Sequence, residues 1–200
     1  MDDRAVVESQ LGRAPRAFLR VAVRCPFGAP AVTVQAPYDG AGEPFPTTFY
    51  LTCRHLVAGV SRLEAAGGIE HWTAAVQTDP GLTASLERAT ADQRALRREL
   101  AGGQVGREGG ASLELGIGGA ARPEKLKCLH AHVAFALARP GYELGDRIVA
   151  QLAEAYDVAD GWMREAVGER ATAPGWSRQL SVVQDAAFYL FARGATDYSP

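Results

Sequence analysis

The sequence predicts an α+β fold, with a small antiparallel sheet of about three strands near the N-terminus packed with five or six helices. Three observations predict it. Up to Cys53 the apolar residues alternate in short runs separated by proline and glycine; beyond it their spacing changes to threes and fours. The chain has 200 residues, 47% of them apolar and 22% charged, which suits one full-sized core. Residues 1–200 are therefore expected to form a single domain.

Residues 17–25 place Leu19, Val21, Val23 and Cys25 on one side and Phe18, Arg20, Ala22 and Arg24 on the other, the pattern of a strand with one buried face. Pro26-Phe27-Gly28-Ala29-Pro30 is turn chemistry, and residues 31–36 read as the returning strand of a hairpin. After a polar loop, residues 47–53 alternate again. Phe49, Leu51 and Cys53 share one face, and Thr48, Tyr50 and Thr52 the other. Parity thus sends Cys25 and Cys53 to the apolar sides of two strands, each at its C-terminal end.

The remaining elements are helical. Leu56, Val60 and Leu63 predict a helix that stops at Gly67-Gly68. Leu82, Leu86, Ala89, Leu96 and Leu100 predict another, with Glu87, Arg88, Asp92, Arg94, Arg97 and Arg98 on its wet side. Residues 101–122 hold Gly102, Gly103, Gly106, Gly109, Gly110, Gly116, Gly118 and Gly119 and are expected to form a flexible glycine-rich loop. Pro123 suits a helix start, after which Leu126, Leu129, Val133 and Leu137 form one stripe and Cys128, His132 and Phe135 fall opposite. Two helices close the chain, one over about residues 146–167, the other carrying Trp176, Leu180, Val183, Ala187, Leu190 and Phe191.

Composition narrows the function classes. A net charge of −2 provides no general attraction to nucleic acid or anionic lipid. No window approaches the ~20 apolar residues that span a bilayer, and Met1-Asp2-Asp3-Arg4 lacks the apolar stretch of a secretory signal. Three cysteines leave one thiol over after any pairing, which favours a reducing compartment. A cytoplasmic protein is expected, with an unknown protein or a small anionic ligand as its partner and neither membrane nor nucleic acid.

The chemistry concentrates in Lys127-Cys128-Leu129-His130-Ala131-His132, which holds one of the three cysteines and two of the four histidines. On a helix, Cys128 and His132 are one turn apart and share a side. With Cys25 and Cys53 they make a Cys3His set suited to tetrahedral zinc. A closed site of that kind implies an interaction or regulatory module. Two other readings stay open: the cysteines are small buried hydrophobes, or a cysteine–histidine pair is catalytic. In a zinc hydrolase, His130 or His55 is the candidate base, and Arg20, Arg24, Gly118 and Gly119 are candidates for holding an anionic, perhaps phosphorylated, substrate. His71, beside Trp72, is expected at the surface.

Several blocks resemble the domain of unknown function 501 family, which is mainly actinobacterial. They are residues 24–30 (Arg-Cys-Pro-Phe-Gly-Ala-Pro), residues 44–53 (Pro-Phe-Pro-Thr-Thr-Phe-Tyr-Leu-Thr-Cys), Ser61-Arg62-Leu63-Glu64, Gly116-Ile117-Gly118-Gly119 and residues 127–132. The resemblance spans most of residues 11–150 and implies a shared site, because Cys25, Cys53, Cys128 and His130 lie inside its blocks. It implies no activity. Members with Cys-Pro-Cys-Gly have a cysteine where this chain has Phe27, and others have histidine where it has Phe135, which leaves the fourth ligand open among His130, His132 and His55.

Overall fold

The computed structural model describes residues 2–25 and 28–159. It contains α1 (Asp3–Leu11), β1 (Phe18–Arg24), β2 (Pro30–Gln35), β3 (Phe49–Leu51), α2 (Arg54–Ala65), α3 (Gly68–Thr78), α4 (Pro80–Ala101), α5 (Leu129–Ala138) and α6 (Glu143–Ala159). Two short 3-10 turns, Ala111–Glu114 and Ile117–Gly119, lie between α4 and α5. The three-stranded antiparallel sheet and the helices around it give the expected α+β arrangement.

The sheet order is β1-β2-β3, so β1 and β3 run the same way on either side of β2. Every residue of β2 is buried, as befits a central strand. In β1 the expected alternation breaks down. Register shifts interrupt its pairing with β2 between Phe18 and Arg20, between Val21 and Val23, and between Val23 and Arg24. The first two shifts put an extra residue in β1, the third puts one in β2, and an extra residue resets which side the next side chain takes. Leu19 consequently lies 48% exposed, while Val21, Ala22 and Val23 are all half-buried.

The helix after β3 begins at Arg54 and ends before Gly67, whose left-handed backbone turns the chain into α3. The α3 helix, with Trp72 and Val76 buried, was not anticipated, and neither was α1. At the start of α4, Asp79 accepts the amides of Gly81 and Leu82 while Pro80 occupies the first turn, a local signal sufficient to set that boundary. Arg97, expected on the wet side of α4, is fully buried. Its Nη1 donates to the Phe45 carbonyl at 3.0 Å and to Thr48 Oγ1 at 3.4 Å, fastening the loop before β3 to the helix.

The central helix is α5. It is apolar all round, with Leu129 and residues 131–136 buried, and it packs on β3 and α6. It starts at Leu129 rather than at Pro123. Lys125 N bonds back to Arg122 O in a turn, and Cys128 is extended at φ −160°. The glycine-rich segment places Leu113 and Ile117 among buried residues. Gly119, at φ +75°, passes so close to Pro46 that a Cβ there would sit 2.7 Å from the proline's Cβ. The helix expected from about residue 146 begins at Glu143 and is described to Ala159; the one carrying Trp176 to Phe191 lies outside the described residues. Among the described residues, no helix is long and apolar enough to cross a membrane.

Candidate functional site

Two helix ends meet at the site. Glu64 lies in the last turn of α2, and Cys128 and His130 lie at the entry to α5. Glu64 Oε1 accepts the Leu129 amide at 2.6 Å, so a side chain from α2 satisfies one of the free N–H groups at the start of α5. The same oxygen lies 3.2 Å from His130 Nδ1, and Cys128 Sγ lies 3.6 Å from that nitrogen. On the other edge of the ring, His130 Nε2 faces the Val57 carbonyl at 3.2 Å and Ser61 Oγ at 3.3 Å.

The ligand atoms of Glu64, Cys128 and His130 all lie within 4.8 Å of one another, close enough for all three to hold one ion. Burial disfavours a charged His130, but the Cys128 sulfur and the Glu64 carboxylate outweigh it, and the imidazole keeps its proton above the ordinary histidine value. Cys128 and His130 also line a cavity of about 560 Å³. Its walls come from the end of α1, from β3, from the first turns of α2 and from the start of α5, with Gly118 closing one side. A Cβ on Gly118 would lie 3.1 Å from the Ala131 Cβ and 3.8 Å from that of Cys128, so the glycine lets this backbone press against the entry to α5.

The model of a family described as "Protein of unknown function (DUF501)" matches residues 21–150. The chain belongs to the DUF501 family. The matched span holds Glu64, Cys128 and His130 together. No curated protein and no solved structure matches the chain.

In this DUF501 chain the other candidate residues have separate settings. Cys25 and Cys53 follow β1 and β3 at the same end of the sheet, close enough for charge on one to disfavour charge on the other. Burial pushes the Cys53 thiol up, partly offset by the amides of Leu56 and His55 at the start of α2. Neither cysteine belongs to the three-residue group around His130. His132 is fully buried; its Nδ1 and the Tyr142 hydroxyl share a hydrogen bond of 2.6 Å, and the rings stack at 6.0 Å. The one-turn spacing of Cys128 and His132 does not operate, because Cys128 precedes the helix.

His55 occupies the first turn of α2. Arg24 pairs with Asp3 at 2.6 Å and donates to the Gly28 carbonyl, which ties β1 to α1, while Arg20 is exposed. Gly119 is buried against Pro46. His71 is exposed, as expected from sequence. Glu64 was missed as a site residue, although Ser61-Arg62-Leu63-Glu64 stood out as a block. Two of that block's side chains, Ser61 and Glu64, contact His130.

Proposed function

We propose that this protein is a zinc-dependent hydrolase in which Glu64, Cys128 and His130 hold the ion and the fourth coordination position faces the cavity. One observation carries the reading: Glu64 Oε1 and Cys128 Sγ converge on the same ring nitrogen, at 3.2 and 3.6 Å. A tetrahedral zinc with ordinary bond lengths separates its nitrogen and oxygen ligands by about 3.3 Å and its nitrogen and sulfur ligands by about 3.6 Å. His130 Nδ1 would then bind the metal, and Nε2–H would donate to the Val57 carbonyl, the outer contact that orients a metal-bound imidazole. A thiol–imidazole–carboxylate triad needs the carboxylate on the nitrogen opposite the thiol. Here both are on one nitrogen, which counts against it.

Three protein ligands beside a cavity leave room for a water, which zinc makes acidic enough to supply hydroxide near neutral pH. Hydrolysis there would join the water's oxygen to an acyl or phosphoryl centre and break that centre's bond to the leaving group, which would take up the proton. The proximity of Cys25 and Cys53 favours a second reading, a closed Cys25–Cys53–Cys128–His132 zinc site in an interaction module. Against it, Cys128 precedes α5 and its sulfur meets His130 rather than His132.

Elemental analysis of protein purified without a metal-binding tag separates the two. The hydrolase site requires about one zinc per chain, lost in Cys128→Ser and Glu64→Gln and kept in Cys25→Ser and Cys53→Ser. Zinc that follows Cys25 and Cys53 instead supports the closed site. A folded protein that takes up no zinc in zinc-replete medium overturns both.

A further inference from the structure

We infer that the cavity carries a second subsite, formed by Tyr50 and Arg13, that binds an oxyanion on the far part of the substrate. The evidence lies in how Tyr50 is bonded. Tyr50 lines the cavity from β3, half-buried, with its ring held against Phe45 at a centroid distance of 6.0 Å. Arg13 Nη2 donates to the Tyr50 hydroxyl oxygen at 3.4 Å. That bond fills an acceptor position on the oxygen and leaves the hydroxyl hydrogen to be donated elsewhere. No protein acceptor among the described residues takes it. A hydroxyl polarised by a guanidinium and holding its own proton ready is a donor pair, and donor pairs of this kind recognise carboxylate or phosphate oxygens.

The rest of the lining agrees. Leu11, Phe49, Leu51, Val57, Ala58 and Ala131 make the walls mainly apolar. Arg54 is on the wall, and no aspartate or glutamate is among the described lining residues. Two anionic ligands, Glu64 and Cys128, would neutralise a divalent ion at the other side, and the positive charge beside the Tyr50 hydroxyl is that of Arg13. A ligand matched to these features has a hydrolysable group at the His130 side, an apolar body and an oxyanion at Tyr50. The deduction of which group is cleaved rests on the zinc reading; the oxyanion subsite does not.

Titration calorimetry on the full chain tests this with N-acetyl-6-aminohexanoate, its uncharged methyl amide, and N-acetyl-5-aminopentyl phosphate. Each is titrated into zinc-loaded and into chelated protein. At least one charged probe is expected to bind about tenfold tighter than the methyl amide, the worth of a hydrogen bond to a charged group. The tighter of the two identifies the oxyanion as carboxylate or phosphate. Tyr50→Phe and Arg13→Ala, both compatible with the fold because one keeps the ring and the other alters an exposed side chain, are expected to reduce that preference to under about threefold without changing zinc content. Equal binding of charged and neutral probes, a preference unchanged in both variants, or no binding of either charged probe overturns the subsite. A preference that persists after chelation supports it whether or not the zinc reading survives.

Discussion

Because Cys128 sits one residue before α5 with extended backbone, its sulfur meets His130, two residues on, rather than His132 on the helix proper. The two histidines therefore have different chemistry. His130 is half-exposed and bonded on both ring edges; His132 is sealed in the core, where burial lowers its pKa to about 4. The unfolded chain takes up a proton on this residue near pH 6.5. Its contribution to stability is thus complete above pH 6.5 and is lost as the pH falls toward 4, on the order of 3 kcal/mol in all. Asp146, on α6 near Tyr142, acts in the opposite sense. Burial raises its pKa to about 6, so the folded state binds its proton more tightly and that stabilisation fades as the pH rises through 6. Denaturant titrations from pH 4 to 7 should show a steeper acid loss in Asp146→Asn than in the parent, and a shallower one in His132→Asn. Identical profiles for all three proteins would contradict this assignment.

At the scale of elements, α4 and the glycine-rich segment decide how the site is framed. Arg97 holds the loop before β3 in place, yet its Nε and Nη2 have no partner among the described residues, and burial lowers its pKa despite the nearby Tyr38 and Glu108. A buried cation without an ion pair is costly to keep. Arg97→Met, which retains volume and removes the charge, should change stability by less than about 1.5 kcal/mol. Arg97→Ala, which leaves the Phe45 carbonyl unbonded as Arg97→Met does but opens a cavity as well, should cost about 3 kcal/mol or more. Thermal denaturation of the pair checks the contrast. Gly119→Ala should cost more than Gly118→Ala: both have positive φ, but only Gly119 would press a methyl against Pro46 within 2.7 Å.

These elements also show what the sequence made legible. The spacing of Leu82, Leu86, Ala89 and Leu96 located α4 because all four are buried along one stripe. The same periodicity misplaced Arg97, since a helical wheel records where a side chain points and not which neighbouring loop covers it. Parity failed in β1 because bulges reset it. In α5 the helix was expected but its start was set too early by Pro123, which placed Leu126 and Cys128 on it and made Cys128 and His132 look like helical neighbours.

For the whole molecule, the α+β class followed from the change in periodicity after Cys53, a property spread over many residues and therefore robust to local error. The candidate site had no such redundancy. Glu64 lies far from Cys128 in sequence, and no local pattern states that the end of α2 meets the start of α5. That meeting depends on the packing of α2 against α5, which Gly68, just after α2, permits by bringing its backbone against Leu63 and the Leu129 side chain. An ion bound by Glu64, Cys128 and His130 would join two distant parts of the chain. Folding stability should then rise by about 1.4 kcal/mol for each tenfold increase in free zinc above the dissociation constant. Melting curves across zinc buffers measure this; a melting temperature independent of zinc would show that the ion does not bind the folded chain selectively.

The 2.6 Å bond from the Leu129 amide to Glu64 adds a further consequence. It makes one backbone proton of the central helix answerable to a carboxylate on another helix. Any event that draws Glu64 away would free that proton for exchange with solvent while the amides deeper in α5 stayed protected. The exchange rate of the Leu129 amide is thus a native gauge of whether the two helix ends are joined, readable without a substrate or an activity assay.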